Sequence, residues 1–466
     1  MVAYPMTQDE ALTILKTGAN VFLTGEPGSG KSYTVNRFVA YLRECGIEPA
    51  ITASTGIAAT HIRGMTIHSW SGIGIKNFLS EYDLDKITAN ERIAKRIMHT
   101  KVLILDEVSM LSATTFEMVD AVCRAVRRSH KPFGGLQVVL VGDFFQLPPI
   151  VRRDSARAAA AEQGFDFDEG AAPVAPFCYR SAVWTRLNPL VCYLEEQHRQ
   201  EDGEFLELLS AIRSGEVASA HRASIKKRTI ADTASVPASC VRLFPHNADV
   251  DTINTAELAK TPGAAKRYTM QSSGSPAMVE ALKRGCLSPE VLELKIGAAV
   301  MCTKNNPTAG YVNGTLGEVI GFDPAHSHPI IKTRSGSRLV VEPAEWPMEE
   351  DGRVLAKLTQ VPLRLAWAIT IHKSQGMSLD AAVMDLSQTF EYGQGYVALS
   401  RIRTLAGLYL LGVNERALSV HPDAARKDIE FRDQSALARE TFDALPAAEV
   451  GLLQSNFLAA CGGAAR

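Results

Sequence analysis

Eight consecutive residues, Gly25-Glu26-Pro27-Gly28-Ser29-Gly30-Lys31-Ser32, hold the densest chemistry in the chain. An apolar run from Val21 to Thr24 precedes them, and a helix-compatible run from Tyr33 to Arg43 follows. Strand, glycine loop, lysine, hydroxyl and helix is the order that wraps a polyphosphate. The glycines let backbone N–H groups turn toward phosphate oxygens with no Cβ in the way, so the predicted ligand is a nucleoside triphosphate. Lys31 is expected to reach the β- and γ-phosphates, and the Ser32 hydroxyl to ligate Mg²⁺.

Two further apolar runs end in polar groups. Lys101 to Leu105 reads as a buried parallel strand and stops at Asp106-Glu107; ligands sit beyond the C-terminal ends of such strands. Asp106 is expected to hold Mg²⁺ through water, and Glu107 to activate the attacking water. Leu136 to Val141 leads into Gly142-Asp143-Phe144-Phe145-Gln146-Leu147-Pro148-Pro149, where Gln146 is expected to sense the γ-phosphate or orient water. Gln8, with Thr7 as cap, precedes a helix expected over 9–17; its amide can pair with an adenine edge, although an exposed glutamine is the commoner case.

The small-residue loop Ser54-Thr55-Gly56-Ile57-Ala58-Ala59 follows a short strand, Ala50 to Ala53, and belongs on the same sheet edge. The stretch Gly64 to Gly74 contains Thr66, His68 and Trp70. Two readings stay open there: phosphate contacts with a base stacked on Trp70, or a glycine loop around a half-buried tryptophan.

These groups need a scaffold. The 466 residues exceed one hydrophobic core, so two or three domains are expected. With 46% hydrophobic and 21% charged residues the composition is that of a soluble globular protein. No uninterrupted apolar run reaches about 18 residues, and Met1 to Glu10 lacks a secretory pattern, so a cytoplasmic protein is expected. Eight scattered cysteines without a C-x-x-C pair exclude a cysteine metal centre and suit a reducing compartment. A formal charge of −2 argues against a uniformly basic surface but leaves room for a local basic groove. Thr114 to Arg128 places Phe116, Val119, Val122, Cys123 and Val126 on one helical face, with Arg124, Arg127, Arg128 and Lys131 off it. Residues 151–176 read as a surface excursion without chemistry. A second α/β unit follows, carrying Leu194-Glu195-Glu196-Gln197-His198-Arg199-Gln200. Short strands with turn signals at Asn313-Gly314 and Ser335-Gly336 predict a small antiparallel barrel inserted in it. The last fifty or so residues look helical.

Taken in order, GEPGSGKS, ASTGIAA, GMTIHSWSGIG, LILDEVSML, PFGGLQVVLVGDFFQLPP, LEEQHRQ, VNGTLGEVIGF, AITIHKSQG and GYVALSRIRTLAGLYL resemble the motif set of the Pif-one family of superfamily 1 DNA helicases, the 5′→3′ subgroup. The resemblance runs from Gln8 to about Val413. It implies an α/β fold of two RecA-like P-loop domains, residues 1–190 and 191–466, with ATP and Mg²⁺ between them. It also implies a strand-separating wedge within 64–98 and an SH3-like barrel within 295–360. In that frame Gln8 reads adenine, Gly25 to Ser32 bind phosphates, Asp106 holds Mg²⁺, Glu107 is the general base and Gln146 couples the γ-phosphate to domain movement. Arg199 and Arg401 act as arginine fingers, and Gln375 approaches the γ-phosphate. Ser54, Thr55, Thr66, His68, Trp70, His372 and Lys373 touch DNA, although Trp70 stands where the family typically has a smaller aromatic. The implied partners are single-stranded DNA and single-strand/duplex junctions, with G-quadruplex DNA as a further structured substrate. The implied state is monomeric or weakly self-associating on DNA, without membrane and nucleoid-associated in a bacterium. A RecD-like helicase shares the polarity, but GDFFQLPP and PFGGLQ favour the first reading. Against a P-loop small-molecule kinase or GTPase, the chain has no N-K-x-D guanine motif, and the second unit would be unexplained. A DNA-binding P-loop protein without unwinding activity would have no need of Lys31, Glu107, Arg199 and Arg401.

Overall fold

The apolar runs become neighbouring strands of one sheet: β1 Val21–Gly25, β2 Ala50–Ala53, β3 Met65–Thr66, β4 Val102–Asp106, β5 Gln137–Val141 and β6 Leu190–Leu194. Their order is β3-β2-β4-β5-β1-β6, and every neighbouring pair is parallel. Every residue of β1 and of β5 is buried, which is why both read as continuous apolar runs without alternation. Alternate side chains feed two cores. Phe22, Leu103, Leu105, Val138 and Leu140 pack with Phe116, Val119 and Val122 on one face. Val21, Leu23, Ile104 and Val139 pack with Leu12, Leu15, Phe38 and Leu42 on the other. The register aligns Val21 with Val139, Val102 with Gln137 and Ala53 with Asp106, so the strand ends carrying the polar motifs share one sheet edge.

The structure, a computed structural model, describes residues 6–62, 64–74, 76, 78–149, 176–196, 202–231, 236, 240–245, 247–304, 306–311, 313–333, 336–350, 353–371, 374 and 378–463. The chain forms two compact units, one of Met1–Arg199 with Val420–Arg466 and one of Gln200–Ser419. This departs from the expected division at 190/191, because the C-terminal helices return to the first unit. The reason is that β6 is a sheet edge with an apolar face to cover. Helix Pro422–Asp443 buries Ala424, Phe431, Ser435 and Ala438, and the Ser435 hydroxyl accepts from the Tyr193 N–H at 3.0 Å. Phe431 joins an aromatic cluster, its ring centroid 4.9 Å from Phe22 and 5.9 Å from Phe144. Arg180 and Tyr179 clamp the helix start through Asp423.

The second unit holds a four-stranded parallel sheet in the order Ala368–Thr370, Val241–Phe244, Ala382–Leu386, Leu408–Val413. Between its first two strands in sequence lies an antiparallel insertion. Five strands run from Arg338–Val340 through Pro329–Thr333, Leu316–Phe322 and Ala299–Cys302 to Leu363–Leu365, so the ladder has two edges where a closed barrel was expected. A hairpin of Ala344–Glu350 and Arg353–Gln360 pairs with Gln271–Gly274, and Val291–Leu294 pairs with Lys266–Thr269. No described helix is long and apolar enough to cross a membrane.

Candidate active site

At the end of β1 the chain turns through the glycine loop into helix Lys31–Glu44. Gly25 adopts φ 143°, and a Cβ there would stand 2.2 Å from the Leu194 carbonyl oxygen. Gly30 caps the helix at φ 88°, and its Cβ would meet Gln8 Nε2 at 2.1 Å. Neither position admits a side chain. Gln8 Nε2 in turn donates to the Ser29 carbonyl at 3.3 Å. Its helix, Gln8–Leu15, starts at a reciprocal capping box between Thr7 and Glu10, and Arg439 Nε donates to Glu10 at 2.9 Å. The structure therefore brings Gln8 against the loop. Lys31 Nζ donates to the Gly25 and Glu26 carbonyls at 2.7 and 2.9 Å, which holds the ammonium at the loop mouth, while Ser32 is exposed in the first helical turn.

Asp106 ends β4 one strand removed from β1, with β5 between them. Burial pushes its carboxyl pKa up, against the opposing pull of the Glu107 N–H and the Lys31 charge. Asp106 Oδ1 accepts from the Glu107 N–H at 2.9 Å. Glu107 sits at φ 52°, ψ 44°, a left-handed conformation that costs a non-glycine residue about 1 kcal/mol or more. Its carbonyl accepts from the Ser54 hydroxyl at 2.7 Å, and the Ser54 N–H donates to the Asp106 carbonyl at 3.1 Å. Strain at this acidic turn is thus held by the neighbouring strand.

The loop after β5 is anchored by aromatics. Phe144 packs within 4.7 Å of Tyr179 and 5.3 Å of Phe22, measured between ring centroids. Asp143 is fully buried; one carboxylate oxygen accepts from the Phe145 N–H at 3.2 Å and the other from Gln146 Nε2 at 3.4 Å. Gln146 is therefore oriented from behind by Asp143, a residue that sequence reasoning passed over although it stands three positions upstream in the same motif.

The expected DNA-contacting residues divide. The Thr55 hydroxyl accepts from the Ala58 N–H and the Thr66 hydroxyl from the Ser69 N–H, so both cap short helices, Gly56–His61 and Ile67–Ser71. Burial lowers the His68 pKa, which keeps the imidazole neutral at neutral pH. Ser54 is buried and committed to Glu107. Trp70 corrects the base-stacking expectation. It is 2% exposed, one of the largest fully buried side chains, and lies in the core with Phe116, Ile87 and Ile97. Helices Glu81–Thr88 and Glu91–His99, in the segment expected to form the wedge, close over it. Arg401, in the second unit, is 2% exposed, with Nε donating to the Val397 carbonyl at 3.0 Å and Nη2 to Ser400 Oγ at 2.9 Å. Arg199, His372, Lys373 and Gln375 lie outside the described residues.

A family model for PIF1-like helicase matches residues 8–223, and one for the DNA helicase Pif1 2B domain matches residues 278–322. The ATP-dependent DNA helicase Pif1 of Psychrobacter sp. is 41% identical over 98% of this chain and 75% of its own length. The chain belongs to the PIF1-like helicase family. The human ATP-dependent DNA helicase PIF1 is 34% identical over 94% of this chain and 66% of its own length. Bacteroides sp Pif1 in complex with ADP-AlF4 superposes with a TM-score of 0.78 at 28% identity, covering 92% of this chain and 97% of that one. Bacteroides Pif1 bound to ssDNA gives 0.61 at 29% identity, covering 93% and 98%.

Helix Ala113–Arg127 and the turn that joins it to β5 are architectural where they are most polar. Asp120 is fully buried: Oδ1 accepts from the Phe133 N–H at 2.6 Å and Oδ2 from Arg124 Nε at 2.8 Å. Arg127, off the apolar face, donates to the carbonyls of Gly134, Ile97, Met98 and Thr100. A charged residue inside an apolar helical face was the only sequence signal for Asp120.

Proposed function

We infer that this ATP-dependent DNA helicase moves 5′→3′ along single-stranded DNA and separates duplex or structured DNA ahead of it. The observation that carries the ATPase reading is the meeting of Lys31 and Asp106 at one sheet edge, with Gln8 against the loop and Gln146 fixed beyond β5. ATP is the substrate: Gly25 to Ser32 take the phosphates, Gln8 the adenine, and Glu107 accepts a proton from the attacking water. The Asp106 carboxylate and Ser32 hydroxyl are hard oxygen donors that suit Mg²⁺, and they would hold it; when bound, that ion neutralises phosphate charge. Arg199 and Arg401 supply guanidinium charge to the transition state when the two RecA-like domains close, and Gln375 contacts the γ-phosphate. Thr55, Thr66, His68, His372 and Lys373 track the DNA backbone, with the insertion, read as the SH3-like module, assisting. The ssDNA-bound Bacteroides relative supports single-stranded DNA as the partner.

The test combines ATP hydrolysis with and without single-stranded DNA and unwinding of two partial duplexes, one with a 5′ tail and one with a 3′ tail. Lys31→Ala is expected to abolish DNA-stimulated hydrolysis while retaining DNA binding, and the wild type to open only the 5′-tailed duplex. Hydrolysis at wild-type rate in Lys31→Ala overturns the site, and opening of the 3′-tailed duplex overturns the direction.

A further inference from the structure

Strand Leu316–Phe322 returns into Pro329–Thr333 through Asp323-Pro324-Ala325-His326-Ser327-His328. We propose that this turn is a binding site for a borderline divalent transition ion, Zn²⁺ being the reference case, held by the imidazoles of His326 and His328 and the carboxylate of Asp323. One ligand atom from each of the three lies within 4.8 Å of the others. Two imidazole nitrogens and one carboxylate oxygen make a donor set that favours zinc, nickel or copper over magnesium or calcium.

The turn is built rather than loose. The Asp323 N–H donates to the His328 carbonyl at 2.7 Å and the Ser327 N–H to the Asp323 carbonyl at 2.8 Å, so the backbone closes on itself. The His326 N–H donates to Asp323 Oδ2 at 2.8 Å, and His326 Nδ1 lies 3.5 Å from the same oxygen, so the ring and the carboxylate are already side by side. Ser327, between the two histidines, takes a left-handed φ of 60°. It is fixed from the adjacent strand, with Lys266 Nζ on its hydroxyl at 2.9 Å and the Tyr268 hydroxyl on its carbonyl at 2.6 Å. Held this way, the two imidazoles lie together, ring centroids 5.3 Å apart with planes 20° from parallel. Donor atoms around a tetrahedral zinc stand about 3.4 Å apart, given Zn–N bonds of about 2.1 Å. Binding would require the donor atoms to draw in to that spacing, through rotation of the exposed His326 side chain. The match to the 2B-domain model ends at Phe322, immediately before this turn.

A bound ion would tie the two strand ends together and stabilise the insertion by mass action. The site is chemically distinct from Asp106 and Ser32, whose oxygen donors call for Mg²⁺. Equilibrium dialysis of tag-free protein against Zn²⁺ in excess Mg²⁺, with bound metal measured by atomic absorption, tests it. Wild type is expected to bind one more zinc per chain than His326→Gln/His328→Gln, and Asp323→Asn to bind on the order of tenfold more weakly. Thiols contribute equally in all three proteins and cancel. Co²⁺ is expected to give visible ligand-field bands in wild type that the double variant lacks. Circular dichroism identical to wild type establishes that the variant is folded, and Asp323→Asn with both imidazoles intact provides the second reading. Equal zinc stoichiometry in wild type and double variant, with no difference in the cobalt spectrum, overturns the proposal.

Discussion

The Ser54 hydroxyl donates to the Glu107 carbonyl across 2.7 Å, joining the loop after β2 to the acidic turn after β4. Glu107 has left-handed dihedrals, so this bond holds a conformation the backbone would otherwise leave. Ser54→Ala is expected to lower kcat for ATP hydrolysis about fivefold, the equivalent of one hydrogen bond of about 1 kcal/mol, with KM little changed. Ser54→Thr restores it. Steady-state kinetics decide; an unchanged kcat would show that the turn holds itself.

The Asp106 carboxyl is raised by burial, so the folded chain binds its proton more tightly than the unfolded chain does. Its contribution to stability is present at low pH and is lost as pH rises through the folded value. Without nucleotide, Asp106→Asn is therefore expected to raise Tm at pH 7 more than at pH 5, while abolishing hydrolysis. Calorimetry at pH 5 and pH 7 measures it; a lower Tm at pH 7 contradicts the assignment.

Trp70→Ala removes a filled core site. A loss of about 3–5 kcal/mol is expected, together with loss of every activity in proportion to unfolding. Trp70→Phe is expected to be mild, because the buried indole Nε1 has no hydrogen-bond partner among the described residues. Urea denaturation alongside fluorescence anisotropy on labelled DNA separates this from base stacking, which would weaken DNA binding at unchanged stability.

Asp423 experiences burial, which raises its pKa, but the hydrogen bonds from Arg180 and Tyr179 outweigh it and hold the carboxylate below its usual range. The clamp is fully formed above the ordinary carboxylate range and fails as pH falls through the lowered value. Asp423→Asn is expected to remove that acid-sensitive step from the pH dependence of Tm. Persistence of the step in the variant would place its origin elsewhere.

The shared sheet edge is legible because its polar groups are local to apolar runs. The glycines, Lys31 and Ser32 are contiguous, Asp106 ends one run and Gln146 lies in the loop that follows another, so one-dimensional spacing carries three-dimensional placement. The full burial of Trp70 goes beyond both readings open for its loop, because two amphipathic helices from residues 81–99, distant in sequence, fold over it. The roles of Asp120 and Arg127 are not legible in the sequence, because each bonds backbone groups that a sequence does not display. The return of helix Pro422–Asp443 depends on the uncovered face of β6, a property of the assembled sheet and of no single segment.

That return sets an order of events during synthesis. Tyr193 waits for Ser435, 242 positions later, and Phe22 for Phe431. A ribosome that has finished the whole of the second unit still displays an uncovered aromatic floor on the first. Contacts of such long sequence separation form late and slowly, so the nascent motor is most prone to clumping just before its final turns of helix emerge, and a fusion or tag that detains the C-terminus would prolong that exposure.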